Sequence, residues 1–384
     1  METMRHIVLL LIWMKLLPSN QCADLLHPES DVTSSHGHYP PMYCKYTHIV
    51  FKGDTGAFHY KSHRDLHKQC SFAGTDIWEF KKDPDLDIEK CTETYDQGHI
   101  FTIFYYYGSN YFHLHYDMML PLFAEIMKTG SREGTAAFLP TVESERLKKL
   151  NWDTVAFDDD SNYWVQTVKL LLGKHDAYRP MNDKLRTPGY TICFKKAYFG
   201  SPRFEFDNRD VVRNFIKYAK QMHNITEYNI ETPLVGIISR SNRRRILNEA
   251  DVVKALSEIV PTVLIEFTGM TYREQVQLMQ KYSVLIGMNG AGLMNALYLP
   301  KTSVAIQLVP YKAGLNFNEF GKLLKSRGPY IEWHNQHEEL TVPMPGDPHR
   351  NRPDTILHID EMKELVTEAL ELISKQKHNV KTEL

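Results

Sequence analysis

His113 and Asp117 stand four residues apart in the segment YFHLHYDMMLPLFAEIMK, a spacing that puts an imidazole and a carboxylate on one face of a helix. A carboxylate that orients an imidazole makes a general base, so the pair is a candidate for taking a proton from a nucleophile; a structural hydrogen bond is the competing use. Asn110 sits just before this helix, and His115 falls on another face. A second group is cationic. Arg240, Arg243, Arg244 and Arg245 follow an apolar run and precede a helix start marked by Asn248 and Glu249. Arginine offers a rigid fork of donors that fits phosphate oxygens, where the plainer alternative is a solvated basic loop. The third stretch is VLIGMNGAGLMNALYLP, Val284 to Pro300, read as a buried strand, a glycine turn and a helix. Gly287, Gly290 and Gly292 let the backbone approach a ligand, and the helix N-terminus favours phosphate. The spacing is not G-x-G-x-x-G, so the turn alone is a weak signal. With the arginines it suggests a diphosphate held between Arg240, Arg244 and Gly290. One acidic run remains, Asp158-Asp159-Asp160, which suits a metal–nucleotide diphosphate or, more simply, a solvated loop or helix cap.

The elements that must position these groups alternate in the second half. Strands are expected at Leu234–Ile238, Val263–Phe267, Val284–Ile286, Val304–Val309 and Tyr330–Trp333, with helices at Glu249–Ile259, Tyr272–Tyr282, after the glycine turn and at Phe317–Lys325. That rhythm implies an α/β fold with a parallel, doubly wound sheet whose ligands sit beyond the carboxyl ends of the strands. The first half offers a strand at Ile100–Tyr107, the His113 helix, a helix at Tyr163–Leu172, a strand at Tyr190–Tyr198 and a helix at Asp207–Met222. Two α/β halves facing across a cleft are expected, divided near Glu231-Thr232-Pro233 into 23–232 and 233–359. Residues 23 to about 98 read as an irregular, disulfide-tied layer. The closing helix, Asp360–Lys375 within 360–384, is expected to cross back over the first half.

Composition narrows the class. The 384 residues are 42% hydrophobic and 24% charged, as in a globular chain of about two domains. A formal net charge of −2 gives no basic field, which excludes nucleic acid as an expected partner. Arg5 and His6 precede the apolar run Ile7 to Met14, which reads as a signal peptide over 1–22, an uncleaved anchor being the alternative. The closing Lys381-Thr382-Glu383-Leu384 is a variant of the endoplasmic-reticulum retrieval signal, so an ER-lumenal protein with a retrieval receptor as partner is expected. Beyond Cys22 the cysteines are Cys44, Cys70, Cys91 and Cys193. Two disulfides are expected, one confined to the N-terminal region; three pairings are open, and four free thiols are the alternative. Asn224-Ile225-Thr226 is a glycosylation sequon.

The stretches NYFHLHYDMMLPLF, ISRSNRRRILNEADV, LIGMNGAGLMNALYLP and VPYKAGLNFNEFGKLLKSRGPYIEWHN, in that order, resemble glycosyltransferase family 61. The resemblance implies a GT-B architecture of two Rossmann-like domains, the first on the acceptor side, and an inverting mechanism without a metal ion or other cofactor. It implies UDP-GlcNAc as donor and O-mannose or a hydroxyl of a secretory-pathway glycoprotein as acceptor. Members acting on EGF domains are the second model, and a non-catalytic module binding a nucleotide sugar or glycoprotein is the third. By position, the family's Asn-x-x-His-x-x-x-Asp motif falls on Asn110, His113 and Asp117. Its arginine motif falls on Arg240, Arg244 and Asn248, and its glycine turn on Met288, Asn289, Gly290, Ala291 and Gly292. The family's turn usually has His where this chain has Asn289, and its next strand usually has Glu where this chain has Gln307. Amides keep the hydrogen bonds and lose the charge.

Overall fold

The computed structural model describes residues 29–36, 42–66, 79–88, 90–100, 110–129, 135–140, 171, 178–181, 187–199, 208–228, 230–313, 318–343 and 353–382. They gather into two compact units. One draws on segments within Met1–Tyr105, Glu125–Phe157 and Lys174–Arg203, the other on segments within Tyr106–Ala124, Asp158–Gly173 and Phe204–Leu384.

The first unit holds an eight-stranded mixed sheet. Its strands are β1 (Asp31–His36), β2 (Met42–Lys52), β3 (Ala57–Tyr60), β4 (Phe80–Lys82), β5 (Glu93–Ile100), β6 (Thr135–Pro140), β7 (Tyr178–Met181) and β8 (Thr191–Phe199). They run in the order β4-β3-β2-β8-β5-β6-β7, with β1 on β2. β5 is parallel to β8 and β6, whereas β2 is antiparallel to β1, β3 and β8. Where the sequence suggested an irregular layer, five strands therefore stand. The reason lies at His48, which has a left-handed φ of 51°. Before it β2 places Cys44 and Tyr46 in the core, and after it Ile49 and Phe51. The change from even to odd positions defeats a period-2 reading. Cys91 is bridged to Cys193 across a sequence separation of 102, which ties the approach to β5 onto β8. Cys44 is also disulfide-bonded, to a partner outside the described residues.

The second unit is built on a five-stranded sheet: β9 (Val235–Ile238), β10 (Thr262–Ile265), β11 (Val284–Met288), β12 (Val304–Val309) and β13 (Tyr330–His334). All pairs are parallel, in the order β10-β9-β11-β12-β13. Strands β9, β11 and β12 are buried along their whole length, as their mostly apolar runs require, Gln307 being the polar exception. A small antiparallel pair, β14 (Thr341–Val342) and β15 (Asp354–Thr355), follows. The helices are α1 (Tyr111–His113 continuing through Leu114–Met119 to Leu120–Thr129), α2 (Arg209–Met222), α3 (Glu249–Ser257), α4 (Tyr272–Met279), α5 (Asn318–Arg327) and α6 (Ile359–Thr382), with a 3-10 helix at Ala291–Tyr298. Thr271 and Glu274 form a capping box at the start of α4. The closing helix α6, expected to cross back over the first half, belongs to the second unit. Its stripe Met362, Val366, Ala369 and Ile373 joins the core of this unit's own sheet with Val284, Ile286, Val304 and Ile306.

The 3-10 helix is fastened at its C-terminal end and just beyond it. Gln280 donates to Tyr298 O at 2.6 Å and Lys220 to Leu299 O at 3.5 Å, while Arg327 donates to Pro300 O and, at 2.6 Å, to Ser303 O. Three elements thus supply donors to carbonyls that no helical partner satisfies. On the side chain of Tyr298, His115 Nε2 lies 2.7 Å from the hydroxyl, and His115 Nδ1 lies 2.7 Å from Tyr111 O. A carbonyl only accepts, so Nδ1 carries the proton and Nε2 accepts from Tyr298, which takes a hydrogen bond from Tyr272. Burial pushes the His115 pKa down to about 4, a direction the Tyr111 carbonyl opposes. In the first unit His99, stacked on Tyr198 at 4.9 Å, is likewise pushed to about 4 by burial and by Lys45.

Both histidines must fold neutral, so the unfolded chain binds more protons once pH drops below about 6.5. Their contribution is complete above that value and lost as pH falls toward 4, up to about 3 kcal/mol each. Urea unfolding between pH 7 and 5, above most carboxylate titration, should show stability falling with acid. A flat profile over that interval would exclude the assignment.

Candidate functional site

In chain order the second unit's strands lie 2-1-3-4-5, and the order reverses between β9 and β11. Open parallel sheets bind ligands at that reversal, beyond the carboxyl ends of the strands. The arginine loop leaves β9 and the glycine turn leaves β11, so the two stretches that the sequence marked as phosphate ligands meet at the switch point. A Cβ added to Gly290, whose φ is 158°, would lie 2.4 Å from Arg240 Nη1. The absence of a side chain there is what lets the guanidinium close on the turn. Arg240 Nε donates to Arg243 O at 2.9 Å. Burial and then the neighbouring Arg243 push its pKa down, and among the described residues no carboxylate pairs with it. A half-buried guanidinium in that state is a ready anion ligand.

The rest of the loop is anchored. Arg245 donates to Asp354 through its backbone at 2.8 Å and its side chain at 2.6 and 2.9 Å. The Asn248 amide forms a reciprocal pair with the Leu357 backbone, both bonds 2.9 Å, so this residue, expected to touch substrate, is committed to holding the loop. Arg244 takes a left-handed φ of 54° and donates from Nη1 to Asn289 Oδ1 at 3.2 Å. The turn is equally defined. Asn289 N donates to Leu308 O at 2.8 Å, and Gly287 has no room for a Cβ, which would stand 2.9 Å from Ile238 Cδ1. Gly292 packs on Ile238 and Phe267, and Ala291 opens the 3-10 helix. Met288, also expected at the ligand, instead buries its side chain in the core with Ile306 and Leu308. Gln307 is fully buried, its amide 2.9 Å from the Tyr330 hydroxyl.

The start of α1 belongs to the same unit. Asn110 caps it, accepting from Phe112 N at 3.0 Å and His113 N at 3.4 Å, so its side-chain oxygen serves the helix. Phe112 stacks on Phe320 and Tyr116, holding the half-buried His113 beside it. The turn Leu114–Met119 is π-helical, a distortion frequent at functional sites. Asp117 lies in that turn, and its side chain is outside the described residues, as is the Asp158-Asp159-Asp160 run. Through the His115–Tyr298 bond the His113 helix is fixed to the 3-10 helix that follows the glycine turn. Asn224 is exposed in the turn after α2, with φ 53°. Sequence reading set His115 on another helix face without a role and passed over Lys220, Gln280 and Glu332. The one available signal was a polar residue inside an otherwise apolar stretch, which does not say which partner it will find.

Comparison with known proteins places this geometry. Residues 111–306, just over half of the chain, match the family described as Glycosyltransferase 61. The protein O-linked-mannose beta-1,4-N-acetylglucosaminyltransferase 2 of Xenopus tropicalis is 23% identical over 281 residues, covering 66% of this chain and 45% of the relative. The Tetraodon nigroviridis protein of that name is 25% identical over 282 residues (67% and 46%), and the human one 25% over 267 residues (62% and 42%). The chain thus spans less than half the length of these curated relatives. A solved iron-containing heptosyltransferase overlays 91% of this chain and 96% of its own at 12% identity, but its TM-score of 0.30 carries no argument. The matched residues run from the first turn of α1, through the arginine loop and the glycine turn, to β12: the chain belongs to glycosyltransferase family 61.

Proposed function

We propose that this chain transfers a sugar, GlcNAc from UDP-GlcNAc, onto O-mannose or a hydroxyl of a secretory-pathway glycoprotein, by inversion and without a metal ion. The observation that carries the reading is Arg240, a guanidinium closed onto Gly290 at the switch point and, among the described residues, without a carboxylate partner. The donor diphosphate lies there, against Arg240, Arg244 and the Asn289–Gly290 backbone, and its leaving charge is balanced by the two guanidinium groups. The acceptor hydroxyl loses its proton to His113 or Asp117 and attacks the anomeric carbon from the face opposite UDP. A GT-B architecture of two Rossmann-like domains accompanies this reading. So do residence in the ER lumen, recognition by a retrieval receptor and a glycan on Asn224. A second reading, binding of a nucleotide sugar or glycoprotein without turnover, is favoured by the neutral Asn289 and Gln307. An acceptor resembling an EGF domain is the variant of the first.

Purified protein incubated with a panel of nucleotide sugars and O-mannosylated or EGF-domain peptides separates these readings. The expected result is UDP release and product with UDP-GlcNAc, unaffected by chelator; binding without release from any donor would favour the second. His113→Ala and Asp117→Asn should each lower kcat by at least about tenfold with UDP affinity within a few-fold. Near-normal turnover in both would make the pair structural.

Arg240→Ala and Gly290→Val should each weaken UDP at least about tenfold, the first by removing the charge-assisted bonds and the second by driving the guanidinium off the turn. Calorimetric titration with UDP measures this, with thermal unfolding to verify the fold. Unchanged affinity in folded Arg240→Ala protein would remove the diphosphate from this loop.

A further inference from the structure

Two buried amide ends near the arginine loop have no partner, one on Asn289 and one on Gln307. Asn289 is 5% exposed and Gln307 0%. Their positions are related by the sheet. Gly287 stands opposite Gln307 in the β11–β12 ladder, and Gln307 stands opposite Glu332 in the β12–β13 ladder. Asn289 is two residues beyond Gly287 and so shares the face of Gln307 and Glu332. Such a diagonal pair on neighbouring strands is about 8 Å apart at Cα, a span two amide side chains can bridge.

The direction of each hydrogen bond follows from counting protons. Tyr330 contacts both Glu332 Oε2 and the Gln307 amide, yet a phenol has one proton. Burial and the Glu332 carboxylate push the Tyr330 pKa up, so the proton stays. Burial works against ionisation of Glu332, but Tyr330 and His334, its Nε2 2.7 Å from Glu332 Oε1, hold its pKa below the ordinary value. The Tyr330 proton therefore goes to the carboxylate. A Gln307 oxygen against the Tyr330 oxygen would then be a contact of two acceptors, whereas the amide N–H2 donates into it. The two ends of an amide are told apart only by such partners. With Nε2 on Tyr330, the free end of Gln307 is an acceptor, and the free end of Asn289, whose Oδ1 is taken by Arg244, is a donor. In that orientation the two free ends are complementary, one a donor and the other an acceptor.

We propose that Arg244, Asn289, Gln307, Tyr330 and Glu332 form a single hydrogen-bond chain, each donating to the next across β11, β12 and β13, that positions the Arg244 guanidinium for its ligand. Glu332 and Tyr330 are positioning residues in this chain, remote from the ligand. It gives a reason for two neutral amides side by side: only groups that donate at one end and accept at the other can continue a chain from a cation to an anion. It also explains how Arg244 is held at a left-handed φ. The functional part rests on Arg244 as a ligand of the donor diphosphate.

The test is a double-mutant cycle on the full chain, with UDP as the titrated ligand. Tyr330→Phe should weaken UDP by about fivefold or more when Arg244 is present and by less than about twofold in the Arg244→Ala background. Glu332→Gln, which still offers an oxygen to Tyr330, should fall between wild type and Tyr330→Phe and serves if the latter folds poorly. Equal losses in both backgrounds, or none, would overturn the proposal. If Arg244→Ala itself leaves UDP affinity unchanged, the diphosphate reading of Arg244 fails, and the chain is judged by the side-chain amide resonance of Gln307 in protein carrying 15N-glutamine. Displacement of that resonance in Tyr330→Phe or Glu332→Gln would support the chain, and an unmoved resonance would end it.

Discussion

The hydrogen bond between His115 and Tyr298 is the joint on which the second unit depends. It ties the start of α1 to the 3-10 helix after β11, and it does so between two fully buried groups, where an unmade bond is expensive. Around it Tyr111, Phe215 and Tyr272 pack against the imidazole with ring centroids 4.4 to 6.2 Å apart. The carbonyl end of the same residue is held by Gln280. A single tyrosine therefore fixes the helix that carries His113 through its hydroxyl and the segment after the glycine turn through its backbone.

The arginine loop shows how a fold keeps a cation ready. Arg245 is neutralised by Asp354, Asn248 is closed on the Leu357 backbone, and the loop is stapled to the segment before α6. Among the described residues Arg240 receives no carboxylate to offset its burial, and Arg243 beside it adds repulsion. Desolvation is thus incurred before any ligand arrives, which leaves the bonds to an incoming anion stronger than they would be in water. Asn289 supports a cation in that arrangement without carrying a charge itself, since Arg244 leans on its amide oxygen.

Much of the second unit was legible in the sequence because β9, β11 and β12 are short, mostly apolar runs separated by helix-length segments. Val304–Val309 was expected and is observed, and the other four strands of that sheet begin or end within one or two residues of expectation. That the arginine loop and the glycine turn would lie at strand ends was expected; the direct approach of Arg240 to Gly290 was not. The first unit was far less readable. β8 was expected within one residue, but in β2 the buried positions change parity in mid-strand, so no fixed period describes it, and the Cys91–Cys193 pairing across 102 residues has no local signature. Helix α6 carries a stripe that any apolar surface would satisfy, and composition does not say which surface it meets.

The sequence by itself determined the family, the α/β rhythm and the residue types at the ligand turn, because those are written in local periodicity and short motifs. Only the tertiary structure decided what each of those residues does. Asn110 and Asn248 spend their amides on the backbone, Met288 faces the core, and His115 is a buried acceptor. Each of these outcomes turns on which donor or acceptor stands about 3 Å away across a long sequence separation, and hydrogen-bond satisfaction in a buried site is a property of the packed arrangement.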